Sequence, residues 1–325
     1  MNNSYLNDQV ESDINAQVAK VLRDLGNPKP PLRLDDVRAL LRLDRGYYSS
    51  RDVGTLDRMI HKLRLAKHQI VTTPTRLLEV VRQSGLKALF LHDSREILID
   101  SEEPDPKKRW NEAHEIGHSV IPWHADYSMG DQLQTLTPGC HEKIEAEANH
   151  AAGRLLFLGD LFGATLLDCT LSLTTVRALS REFKNSITTT LWRSVEQSLI
   201  PAFALVGPDP RSVHTSTSAP ARYFVRSRRF LAEFGMQMEA DLYRQLRPLC
   251  HGTKGPIGGG PIVVENDIGQ AHEFSVELFN NTHDVLVLAI HRRLYPVIVG
   301  VNRPVLARVL PGGDSYESVS SLPEA

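Results

Sequence analysis

Ten residues constrain this chain more than any other stretch: Arg109-Trp110-Asn111-Glu112-Ala113-His114-Glu115-Ile116-Gly117-His118. They contain the pattern His-Glu-x-x-His. On a helix, residues four apart lie on one face, a turn above each other. His114 and His118 therefore aim ring nitrogens at one cation. Glu115 is rotated from His114 by ~100°, which puts its carboxylate beside the metal, where it takes a proton from an activated water. Pro104 and Pro106 precede the run and Pro122 closes it, so the spacing predicts a helix over about 107–121. Ala113, Ile116, Gly117, Val120 and Ile121 supply small and apolar neighbours for burial. The plain alternative is a core helix whose histidines bond to backbone carbonyls.

The third ligand separates classes of zinc peptidase. His124 follows His118 by six, where a metzincin places its third histidine. That class also needs a turn glycine at the position held here by Ile121, and Pro122-Trp123 follows it. The better source is downstream, where residues 141–156 form a strong helix former with Ala148, Ala152 and Leu155 on one stripe. Glu145 lies one turn before Ala148-Asn149. Two histidines and a glutamate leave one position open for water, as catalytic zinc requires. Glu147 is the rival ligand; it lies two residues from Glu145 and cannot share its face. Cys140 reads as a plain thiol.

Together, Ala113-His114-Glu115-Ile116-Gly117-His118 and Glu145-Ala146-Glu147-Ala148-Asn149-x-Ala151-Ala152-x-x-Leu155-Leu156 resemble the ImmA/IrrE family of bacterial zinc metallopeptidases. The resemblance spans roughly residues 30–200. It implies one catalytic Zn2+ held by His114, His118 and Glu145, with Glu115 as general base. It implies a zincin-like core followed by a further helical segment. It also implies a partner: a cytoplasmic helix-turn-helix (Xre-type) repressor as the protein substrate, hence a protease that regulates transcription. Phe157-Leu158-Gly159 departs from the Met-Pro that family members often carry; that touches helix termination, not ligation.

The remaining chain predicts an α+β fold. Its 325 residues suggest two domains or three modules. Short helices are expected over Ile14–Leu25, Leu34–Leu43, Leu56–Leu65 and Leu77–Ser84, with Tyr47-Tyr48-Ser49-Ser50 as a turn. Ala88–Leu91 and Ile97–Asp100 read as a β-hairpin, whose free edge suits an extended peptide laid across the metal. Residues 122–143 form a long loop. Its His124, Tyr127 and His141 each offer a hydrogen bond to the oxyanion of a tetrahedral intermediate.

Leu171–Phe183 and Ile187–Leu199 resemble a helix-turn-helix, with Asn185 in the left-handed conformation and Ser186 as N-cap. Arg193 is the positive charge of its reading face, so phosphate anchoring is thin and nucleic acid is a poor partner. After Pro201, strands are expected around 203–206, 223–225, 262–264, 274–279, 285–290 and 297–299. A helix over 230–246 and a glycine loop over 252–260 complete that module, and a low-complexity tail follows Gly312. The expected division is 1–160, 161–200, 201–312 and 313–325, with a fragment ending near Leu199 folding alone.

A net charge of −2 gives no electrostatic footprint for nucleic acid or an anionic membrane. The N-terminus lacks a signal-peptide pattern, and no apolar run approaches a membrane span. Three cysteines, odd in number, far apart and in no C-x-x-C pair, suit a reducing cytoplasm. Two other classes fit part of these features: a non-catalytic regulator with a structural metal, and a DNA-binding regulator resting on residues 171–199.

Overall fold

The computed structural model describes residues 3, 5–49, 88–91, 95–124, 138–213 and 220–292. The expected helices over 56–65 and 77–84, the strand over 297–299 and the tail lie outside these residues. Residues Met1–Arg292 form one compact unit, and its class is the expected α+β.

The first half runs α1 (Asp8–Asp24), α2 (Leu34–Leu41), β1 (Asp44–Tyr48), β2 (Ala88–Leu91), β3 (Glu96–Asp100), α3 (Asp105–Val120) and α4 (Pro138–Leu156). The hairpin forms as expected, with β2 antiparallel to β3 and Phe90 opposite Ile97. The Tyr47-Tyr48 segment is a strand rather than a turn: β1 runs parallel to β3, in the order β1-β3-β2. Tyr48 is buried at its end, which a five-residue strand of otherwise polar pattern does not announce. Phe90, Ile97 and Ile99 pack against Ala113, Ile116 and Val120 of α3, and α1 adds Ile14 and Val18 to the same core.

Helices α5 (Leu161–Leu167), α6 (Leu173–Glu182) and α7 (Ile187–Glu196) follow. Ser186 caps α7 through the Thr189 N–H, as expected, and Ser172, placed inside the expected helix, instead caps α6 through the Thr175 N–H. The left-handed residue between them is Lys184, not Asn185. Asn185 is occupied differently: its amide donates to Leu156 O at 3.2 Å. Arg193 is 6% exposed and pairs with Glu196, so the one cation of the presumed reading face is turned inward.

The second half is an antiparallel sheet, β5-β4-β8-β7-β6. Its strands are β4 (Ala202–Gly207), β5 (Tyr223–Arg226), β6 (Gly255–Glu265), β7 (Ala271–Asn280) and β8 (Val285–His291). One face packs on α8 (Arg228–Phe234) and α9 (Glu239–Leu246) through Phe203, Phe230, Phe234, Leu242 and Phe274. The other packs on α6 and α7 through Leu173, Val176, Leu191, Val195, Val206 and Leu288. Helices on both faces explain why β4 is buried at every position.

Two expectations fail here for identifiable reasons. The helix over 230–246 is broken at Gly235, where the Gly235 and Met236 N–H groups are taken by Asp267 of the β6–β7 turn. The glycine stretch before Pro261 is strand, not loop. Gly258 adopts φ +150, and a Cβ there would stand 1.8 Å from Leu249 O. These glycines let the strand pass a neighbouring backbone.

Candidate metal centre

Helix α3 begins after an extended Pro104, with Pro106 in its first turn and Asp105 favourable to the helix dipole. It stops at Ile121, which is extended, as the residue before a proline prefers. Its apolar face is spent on the hairpin, so the histidine face looks towards α4. Glu112, 5% exposed, ties α3 to α2 and β1 through Arg38 Nε at 2.6 Å and Arg45 Nη1 at 3.2 Å.

Gly117 is where α3 and α4 come together. A Cβ at this position would lie 2.8 Å from Ala148 O and 3.3 Å from the Ala151 methyl. Ala148, Ala151, Ala152 and Leu155 are fully buried along α4. The small-residue face read from the sequence is thus the contact that sets one helix against the other. Leu158 and Gly159 are both left-handed, and the Gly159 N–H returns to Arg154 O at 2.7 Å. Helix α4 therefore terminates through these two left-handed residues.

Across this contact the polar atoms converge. His114 Nε2 and His118 Nε2 are 3.2 Å apart. Glu145 Oε2 lies 3.1 Å from the first, and its Oε1 lies 3.6 Å from the second. Two ligands at ~2.0–2.1 Å from a tetrahedral ion stand about 3.3 Å apart, so the donor set fits zinc in spacing and chemistry. Among the described residues, His114, His118 and Glu145 are the group able to hold a metal ion. All three are partly exposed, which leaves an approach from solvent.

The sequence left Glu147 as a rival to Glu145, and the two are placed apart. Glu147 is 4% exposed and turned to the opposite side, where Trp123 Nε1 donates to Oε2 at 2.6 Å and His124 Nε2 lies at 3.0 Å. Asn149 backs the first ligand: its Oδ1 is 3.0 Å from His114 Nδ1. Asn149 is one turn after Glu145, so its position on the metal face follows from helical spacing.

Glu115 is 8% exposed and accepts a hydrogen bond from the Phe90 backbone N–H. Burial pushes its carboxyl up to about 7. His114 and the Phe90 N–H oppose that rise, and Glu145 adds to it. Burial pulls His114 down, but the Glu145 hydrogen bond and the Glu115 and Glu145 charges carry it above the ordinary histidine value. Burial holds His124 below that value against the pull of Glu147.

Of the three groups expected at an oxyanion, Tyr127 lies outside the described residues. His141 lies in the first turns of α4, and only its backbone is described. His124 has a different place from the one expected. It is 1% exposed, bonded to Glu147 through Nε2 and 3.0 Å from His118 Nδ1 through its own Nδ1. It faces the back of a ligand, not the open side of the site.

No family model matches the sequence. No curated protein matches it. Among solved structures the chain is similar to a Mycobacterium tuberculosis transcriptional regulator, at 11% identity and a TM-score of 0.45 over 86% of this chain and 88% of that one. A likeness at that level does not bear on function.

Proposed function

We propose that this protein is a zinc-dependent endopeptidase. The observation that carries the reading is the meeting of His114, His118 and Glu145 beside a buried carboxylate that is not among them, Glu115. A purely structural zinc is closed by four protein ligands and has no use for a base. Bound at this set, zinc supplies Lewis-acid chemistry, acidifying water and polarising a carbonyl oxygen.

The chain's own residues do the rest. Asn149 keeps the His114 proton on Nδ1, so Nε2 presents its lone pair. Glu115 takes a proton from the attacking water on a carboxylate oxygen and delivers it to the leaving amine nitrogen. A group near neutrality suits that exchange, and a cation at the site draws Glu115 back down. Strand β2, at the edge of its sheet among the described residues, lies beside Glu115. An extended peptide pairing there lies along the base. On the resemblance of the paired motifs, the proposed substrate is a cytoplasmic helix-turn-helix repressor. A DNA-reading role for α6 and α7 is disfavoured by the inward pairing of Arg193.

The test uses the full chain and Glu115→Gln, each loaded with zinc and incubated with a purified helix-turn-helix (Xre-type) repressor. We expect equal zinc content and a cleavage rate at least ~100-fold lower in the variant, the low end for a positioned acid–base group. Equal rates would remove Glu115 from the chemistry.

A further inference from the structure

We propose that His124 is a positioning residue for the metal ligand His118, itself oriented by Glu147 and Trp123. The inference rests on the metal-centre reading above and assigns the hydrogen-bond chain behind it. His118 Nε2 lies among the donors, 3.2 Å from His114 Nε2 and 3.6 Å from Glu145 Oε1. To ligate, this nitrogen must be the unprotonated one. The proton of neutral His118 then sits on Nδ1, 3.0 Å from His124 Nδ1. His124 must accept there, so its own proton sits on Nε2, 3.0 Å from Glu147 Oε2.

That carboxylate oxygen also receives the indole N–H of Trp123 at 2.6 Å. An indole nitrogen only donates, so Oε2 is an acceptor and both hydrogens run towards Glu147. Each proton in the chain has one position. The segment responsible is short. Pro122 ends α3, residues 122–124 make a helical turn with the His124 N–H on Ile121 O, and Trp123 and His124 are brought against α4.

The two imidazole ligands are therefore backed by different chemistry. His114 leans on a neutral amide, Asn149. His118 leans on a relay ending in a buried carboxylate, with His124 at 1% and Glu147 at 4% exposure. A carboxylate behind a ligating imidazole fixes its ring and raises its basicity. Neither relay residue touches the substrate side, so the effect is on how tightly and in what geometry the ion is held.

The experiment measures zinc affinity of the full-length protein by competition with a chromophoric chelator, together with the visible spectrum after Co2+ substitution. His124→Phe fills the space but accepts no proton. His124→Gln offers an amide oxygen to His118 and an amide N–H to Glu147. We expect His124→Phe to bind zinc ~10- to 100-fold more weakly with an altered cobalt spectrum, and His124→Gln to recover most of the loss. Glu147→Gln, which keeps the shape and removes the charge, is expected to weaken zinc as well, and decides the matter should the phenylalanine variant not fold. Wild-type affinity in both His124→Phe and Glu147→Gln overturns this inference alone, as does an equal loss in His124→Phe and His124→Gln. A wild type that binds no zinc overturns the metal-centre reading and this inference with it.

Discussion

His150 follows Asn149 directly, yet it bears on stability rather than on the candidate site. Its Nε2 is 2.9 Å from Asn15 Oδ1 on α1, so it donates as a neutral imidazole. Burial lowers its pKa from 6.5 to about 3, and the charges of Arg193, Arg154 and Arg228 push the same way. Between those two values the unfolded chain takes up a proton that the folded chain refuses. Stability is then fully present above pH ~6.5 and falls as pH drops towards ~3, by up to ~1.4 kcal/mol per unit. We expect His150→Gln to flatten the decline of Tm between pH 6.5 and pH 4; an unchanged slope would place the acid sensitivity elsewhere. At this scale the sequence was legible where placement followed helical spacing, as for the shared face of His114 and His118. It put Glu145 ahead of Glu147 but kept Glu147 as a rival, because which carboxylate faces the histidines is decided by the crossing of two helices. The relay role of His124 was hidden for the same reason: its partners Glu147 and His118 meet only once α4 is in place.

Helices α3 and α4 carry all three proposed ligands, so their spacing is a property of the metal centre. Gly117 sets it, with backbone Ala148 O standing where a Cβ would be. A larger residue overpacks the contact at a cost of ~1–3 kcal/mol and moves Glu145 away from the histidines. Gly117→Val is expected to lower both Tm and zinc affinity. A variant with reduced Tm but unchanged zinc affinity would separate the helix contact from the site. Elements with a strong period were readable: α3, α4, the capped pair α6 and α7, and the hairpin of β2 and β3. Those governed by distant partners were not. Asp267 breaks the predicted helix at Gly235, and the Leu249 backbone requires the glycine at 258 in β6. Strand β1 owes its place to parallel pairing with β3, which no local pattern in Asp44–Tyr48 reports.

On the scale of the molecule, α6 and α7 join two cores. Their Leu173, Val176, Leu191 and Val195 lie on the five-stranded sheet, while Leu179 and Phe183 join the core of α3 and α4. The N-terminus crosses back as well. The Asn3 N–H bonds Phe224 O, Tyr5 OH bonds Arg226 O, and Glu11 pairs with Arg228. A fragment ending near Leu199, which the sequence suggested would stand alone, exposes four apolar side chains worth ~1.5–3 kcal/mol each when buried. The second half thus shares α6 with the core on which α3 and α4 rest. Among the described residues no helix is long and apolar enough to cross a membrane. The centre itself is tested most directly by the metal content of the purified full-length protein, measured by mass spectrometry beside His114→Ala, His118→Ala and Glu145→Ala. We expect one zinc per wild-type chain and loss of most of it in each variant, since two protein ligands hold zinc poorly. Full occupancy in Glu145→Ala, or a wild type that takes up no zinc, would contradict the assignment.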